Sequence, residues 1–178
     1  MEDRFRGRIT RTGQFELSLP HKCLNKHCAG YYMEITYELE NIDEAVAEFW
    51  QYAKGYRVWA LTGDLGAGKT TFVGAICRYL GTDTSASSPT FSLVNEYRFP
   101  GPEGKEMAIF HADWYRLGDA EEAISAGMED MMERKDGYCI IEWPERAPEL
   151  LPADTLYVSF TLQSDTRRLL TLSPQEIS

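Results

Sequence analysis

Residues 58–72 read VWALTGDLGAGKTTF, and within them residues 63–70, GDLGAGKT, fit the pattern G-x-x-x-x-G-K-[ST] of a phosphate-binding loop. An apolar run precedes the loop. The pattern KTTFVGAICRYLG (69–81) that follows is an amphipathic helix ending on Gly81, a C′-type glycine. Strand, loop and helix in that order place the loop amides at a helix N-terminus, a ready anion site. Gly63, Gly66 and Gly68 let the backbone turn tightly and approach phosphate oxygens without a Cβ in the way. Lys69 offers a point charge to β- and γ-phosphates, and the hydroxyl of Thr70 is placed for Mg²⁺.

Working outward, apolar strands and amphipathic helices alternate. MEITYEL (33–39) alternates as a strand, and Asn41 with Glu44 predicts a capped helix over IDEAVAEFWQYAKG. SLVNEYRF (92–99) and EMAIFHADWY (106–115) read as a hairpin across PGPEGK. DAEEAISAGMEDMMERKDG holds one or two helices, YCIIEW (138–143) is a short buried strand, and TLYVSFTL and RRLLTL pair across QSDT. The class is α/β: a P-loop NTPase-like three-layer fold whose central sheet mixes parallel and antiparallel strands. The regular domain is expected over 33–178. Residues 1–32 show no sustained period and read as an N-terminal extension, either disordered or an upstream over-extension of a start at Met33.

The 178 residues carry a net charge of −10, and residues 1–32 are basic at +3, so the remainder is strongly acidic. Such a body lacks the clustered cations that grip a nucleic-acid backbone, so any RNA in its biology is expected to be held by a partner, and no DNA partner is expected. No run of 18 apolar residues predicts a membrane span, and no secretory leader is read at the start. Cys77 and Cys139 fall in apolar patterns and read as buried free thiols of a reducing cytoplasm. His21, Cys23, His27 and Cys28 in HKCLNKHC have zinc-ligand chemistry, but adjacent His27 and Cys28 fit one tetrahedral ion poorly.

Nucleotide hydrolysis needs more than a cradle: a carboxylate to hold the metal or its waters, and a group to orient the attacking water. In open α/β sheets these sit at the C-terminal ends of strands. MAIFHAD ends on Asp113 and YCIIE on Glu142, with Trp143 next, an indole for the nucleotide side or for the core. In the polar loop SASSPTF (85–91), Thr90 is placed like a switch residue able to reach a γ-phosphate or the metal; a plain loop shaped by Pro89 is the other reading.

Four stretches in this order, GDLGAGKTTF, SSPTF, HADWYRL and IIEWPER, resemble the bacterial TsaE (YjeE) family, over about residues 33–172. The resemblance implies a P-loop ATPase of tRNA N6-threonylcarbamoyladenosine (t6A) formation that binds ATP or ADP with Mg²⁺. It also implies work with TsaB and TsaD, which act on adenosine 37 of tRNA, the ATPase meeting tRNA only through that complex. Carried over residue by residue, it implies that Gly63, Asp64, Leu65, Gly66, Ala67, Gly68, Lys69, Thr70 and Thr71 bind the phosphates. Thr70 and Glu142 would form the metal shell, Thr90 the switch, Asp113 the acid needed for hydrolysis, and Trp143 a neighbour of the nucleotide. Trp114 stands where the family commonly has leucine, an apolar exchange. Whether Asp113 or Glu142 orients water is left open by the sequence.

A small-molecule or nucleotide kinase shares the P-loop and an acidic strand end, but adds an arginine-bearing lid. Residues 116–137, RLGDAEEAISAGMEDMMERKDG, are rich in acid instead. A GTPase is disfavoured by the lack of an N-K-x-D stretch. The acidic stretch 119–136 reads either as a partner surface or as a solvated helix face.

Overall fold

The alternation read from the sequence closes into one eight-stranded sheet in the computed structural model, which describes residues 8–9, 15–16, 24–27, 30–82 and 93–174. In chain order the elements are β1 (Arg8–Ile9), β2 (Phe15–Glu16), β3 (Leu24–His27), β4 (Gly30–Glu38), α1 (Ile42–Ala53), β5 (Val58–Thr62) and α2 (Lys69–Leu80). There follow β6 (Val94–Pro100), β7 (Glu106–Asp113), α3 (Ala120–Ser125), α4 (Met128–Glu133), β8 (Gly137–Glu142), β9 (Leu156–Leu162) and β10 (Arg167–Ser173). The sheet runs β3-β4-β10-β9-β5-β8-β7-β6, while β1 and β2 pair separately. Its centre, β9-β5-β8-β7, is parallel; both flanks are antiparallel.

This arrangement follows from side-chain alternation. Trp59, Leu61, Ile109, Tyr138 and Ile140 point to one face, where α1 and α2 cover them. Val58, Phe110, Ala112, Cys139 and Ile141 point to the other, under Trp114, Met128 and Met132. Parallel strands buried on both faces read as continuous apolar runs, as VWAL and YCII do. The first face is locked by edge-on aromatic packing: Phe49 meets Trp59 at 5.2 Å and Phe72 at 5.3 Å, and Phe72 meets Phe160 at 5.5 Å. Each such pair is worth about 0.5–1.5 kcal/mol beyond its buried area, and together they tie both helices to β5 and β9. Cys77 and Cys139 are buried free thiols, as read from the sequence.

Two local details refine the sequence reading. Asn41 makes no side-chain cap, because a short 3₁₀ turn over Leu39–Asn41 leads into α1 and leaves Asn41 at ψ 20°, outside the extended backbone that capping needs. Gly81 does terminate α2: at φ 76° it donates to Arg78 O, and Thr82 N–H donates to Cys77 O at 3.1 Å. Strand β4 starts at Gly30, ahead of Met33, and β3 pairs with it through Leu24↔Met33. The acidic stretch after β7 forms two short helices that bury Ala123, Met128 and Met132 and leave Glu121, Glu122, Glu129, Asp130 and Glu133 exposed. Thr90 and the zinc candidates His21, Cys23 and Cys28 lie outside the described residues; His27 is described only as a strand position.

Candidate functional site

All four central strands point their C-terminal ends the same way, and the site collects there. β5 delivers the loop, β8 delivers Glu142 and Trp143, and β7 delivers His111 and Asp113. Asp113 pairs in register with Glu142, and His111 with Ile140. Alternation then sends His111, Asp113 and Glu142 to the α2 side of the sheet, the side of Thr70.

The loop takes the shape that its glycines permit. Gly63 stands at φ 132°, and a Cβ there would lie 2.5 Å from the carbonyl oxygen of Phe160, so both its conformation and its space exclude a side chain. Gly68, at φ 103°, caps the N-terminus of α2. Ala67 is buried beneath the loop, whereas Asp64, Leu65 and Gly66 form its exposed rim and Thr71 is exposed one turn into the helix. Lys69 is 4% exposed and curls back over the loop, donating from Nζ to Gly63 O at 2.6 Å and to Asp64 O at 3.0 Å. Its ammonium lies 4.0 Å from the centre of the Trp143 ring. Burial draws the Lys69 pKa below the ordinary lysine value, and the negative charges of Glu142, Glu145, Asp113 and Asp64 pull it back up.

Trp143 reaches that position through an unusual backbone. It is one of two non-glycine residues at positive φ among the described residues, at φ 59°. A left-handed residue here costs about 1 kcal/mol. It lets β8 break sharply into the Pro144–Arg146 turn and lays the indole between Lys69 and Tyr115, whose ring lies 5.0 Å away.

Glu142 is 2% exposed and fully engaged. Thr70 Oγ1 donates to its Oε1 at 2.8 Å and approaches Oε2 at 3.1 Å. His111 Nε2 lies 2.8 Å from Oε1. With its proton directed at Glu142, the Thr70 oxygen presents lone pairs outward, which is what a hard cation needs from a hydroxyl. Hydroxyl and carboxylate oxygens suit Mg²⁺, which takes few protein ligands and completes its shell with water and phosphate. Asp113 is less buried: its Oδ1 accepts from the Tyr115 N–H at 3.1 Å, capping the turn Trp114–Arg116.

Lys69, Thr70, Asp113, Glu142 and Trp143 thus converge around the loop. His111 was not singled out by the sequence reading, although it stands in the same HADWYR stretch. It lies two residues before Asp113, on the same face, and its full burial beside an acidic strand end is the signal that alternation offered.

The chain matches the family model of the threonylcarbamoyl adenosine biosynthesis protein TsaE over residues 36–170. Relatives named tRNA threonylcarbamoyladenosine biosynthesis protein TsaE include one from Bacillus subtilis, 34% identical over 68% of this chain and 72% of its own length. Another, from Haemophilus influenzae, is 38% identical over 61% of this chain, which spans 65% of that relative's length. A third, from Treponema pallidum, is 34% identical over 65% of this chain and 81% of its own. The crystal structure of Bacillus subtilis YdiB superposes with a TM-score of 0.57, covering 79% of this chain and 84% of that one at 24% identity, a likeness of fold. The chain belongs to the TsaE family of threonylcarbamoyl adenosine biosynthesis proteins.

Proposed function

We propose that this protein is a Mg²⁺-dependent ATPase of tRNA t6A modification, which cycles or regulates a TsaD–TsaB complex by binding and hydrolysing ATP in the cytoplasm. The observation that carries the reading is the Thr70–Glu142 hydrogen bond beside a buried Lys69 inside a glycine-formed loop. That combination serves a phosphate chain with a metal, more than a phosphate alone.

Each residue then has a task. The amides from Gly63 to Thr71 hold phosphate oxygens, and Lys69 balances their charge. Trp143 keeps water from the lysine and fixes its direction. Glu142, held at the same Oε1 by His111, fixes the Thr70 hydroxyl with its lone pairs outward. Mg²⁺, when bound with the nucleotide, supplies neutralisation of charge on the phosphate oxygens. Asp113, less buried and one strand further out, is the group that orients the attacking water. Turnover is slow in such an arrangement unless a partner completes it, and the acidic rim leaves tRNA contact to that partner. The relatives' names give the modification its place in the reading.

The test is phosphate release from Mg-ATP with and without the cognate TsaB and TsaD. Stimulated release is expected, and Lys69→Ala should abolish nucleotide binding. Transfer of the phosphate to a small metabolite would instead establish the kinase alternative.

A further inference from the structure

On the flank of the loop away from Glu142 stands a cation that no carboxylate matches among the described residues. Arg168, on β10, is 7% exposed. Pairing with Leu162 brings it to the end of the sheet where the loop lies. Alternation with Leu170 and Leu172, both in the core beneath α1 and α2, turns it to the helical face. A Cβ built on Gly68 would stand 3.6 Å from Arg168 Nε, so the guanidinium packs against the loop at the residue before Lys69.

Its hydrogen bonding is incomplete. Nη1 donates to Asp165 O at 2.9 Å and steadies the β9–β10 turn, while Nε has no partner among the described residues. No ion pair among those residues includes Arg168. Its register neighbour Tyr37 does not supply the missing charge. Burial pushes the Tyr37 phenol up to about 12, against the pull of the guanidinium, so the ring stays neutral near pH 7.

A guanidinium keeps its charge in any surroundings. Withdrawn from water, it is unfavourable unless an anion meets it. The nearest anion-binding feature is the loop that it touches. We propose that Arg168 is a second cation for the nucleotide phosphates, reaching the loop from β10 while Lys69 reaches from within it. This rests on the nucleotide reading above and adds a residue outside the loop motif. Because Arg168 lies across the loop from the acidic strand ends, it acts on affinity for polyphosphate, in ATP and ADP alike, rather than on cleavage.

The experiment titrates MgADP and inorganic pyrophosphate into the full chain and its Arg168→Met, Arg168→Lys and Lys69→Ala variants, with thermal unfolding of each free protein. Loss of a charge-assisted contact predicts about 10- to 100-fold weaker binding of both ligands by Arg168→Met. The free Tm should be equal or higher, since an unmatched buried charge has gone, and Arg168→Lys should recover part of the affinity. Unchanged affinity in Arg168→Met, with or without a lower Tm, overturns the proposal. So does loss of MgADP binding with pyrophosphate binding intact. If Lys69→Ala also binds like the wild type, the nucleotide reading itself has failed.

Discussion

On one side of the loop, β8 and β7 run parallel to β5 and end in Glu142 and Asp113; on the other, β9 ends in the exposed Thr161 and Leu162 without an acid, and antiparallel β10 brings in Arg168. The first flank is dense with hydrogen bonds: Thr70 and His111 both meet Glu142, and Tyr115 meets Asp113. The second offers Arg168, whose Nε–H has no partner among the described residues. The difference separates two jobs that one loop requires. A carboxylate that directs a metal or a water must be pinned, whereas a guanidinium that meets phosphate needs part of its N–H fork left free beside the anion.

The largest expected effect breaks the loop that both flanks serve. Gly63→Ala places a Cβ 2.5 Å from Phe160 O at φ 132°, so we expect a loss of about 3 kcal/mol in stability by urea unfolding, together with nucleotide binding. Next, Glu142→Gln keeps the shape of the acidic flank and removes its charge. Turnover should fall about 100-fold and the Mg²⁺ needed for half-maximal binding should rise, whereas Mg²⁺-free ADP binding should change little. The same substitution would leave Arg168 in place, so the two flanks separate by metal dependence.

A smaller effect is expected at Trp143→Leu, which removes the ring 4.0 Å from the Lys69 ammonium: about 1 kcal/mol, or roughly fivefold, in nucleotide affinity by calorimetry. The smallest effect near neutral pH comes from the buried thiols. Burial raises Cys139 from 9.0 to about 12 and Cys77 from 9.0 to about 11. A raised pKa favours the protonated thiol in the folded state. The contribution is therefore complete below pH 9 and is lost as pH climbs toward 12. Unfolding midpoints should be flat with respect to these groups from pH 7 to 8 and decline above 9.

Much of the acidic flank was legible in the sequence, because its rule is local. An apolar run ending in an acid, beside a P-loop, reads as a strand end at the site, and both Asp113 and Glu142 came from that rule. His111 follows the same alternation but was passed over, since a single histidine in a strand reads equally well as core. Trp143 could be placed next to Glu142 but not over Lys69, because that depends on a left-handed residue which tryptophan rarely adopts. Arg168 was only half legible: alternation in RRLLTL puts it on the face of Leu170 and Leu172 and Arg167 on the face of Thr171, but nothing in the stretch says that this face ends beside the loop. The antiparallel register of β10 with β4 and β9 is what sets Arg168 opposite Leu162, at the loop end of the sheet. The mixed sheet itself was foreseen from hairpins interleaved with helices, whereas the failed Asn41 cap shows how a 3₁₀ entry overrides a local signal.

If the loop binds ATP and the acidic flank cleaves it, binding and cleavage separate at Asp113. The most direct measurement follows phosphate release and ATP affinity in the same preparations of wild type and Asp113→Asn, with Mg²⁺ and the cognate TsaB and TsaD present. Affinity within about threefold of wild type and turnover reduced about 100-fold or more are expected, since one oriented water and no binding contact would be removed. Equal turnover in the two proteins would contradict that separation.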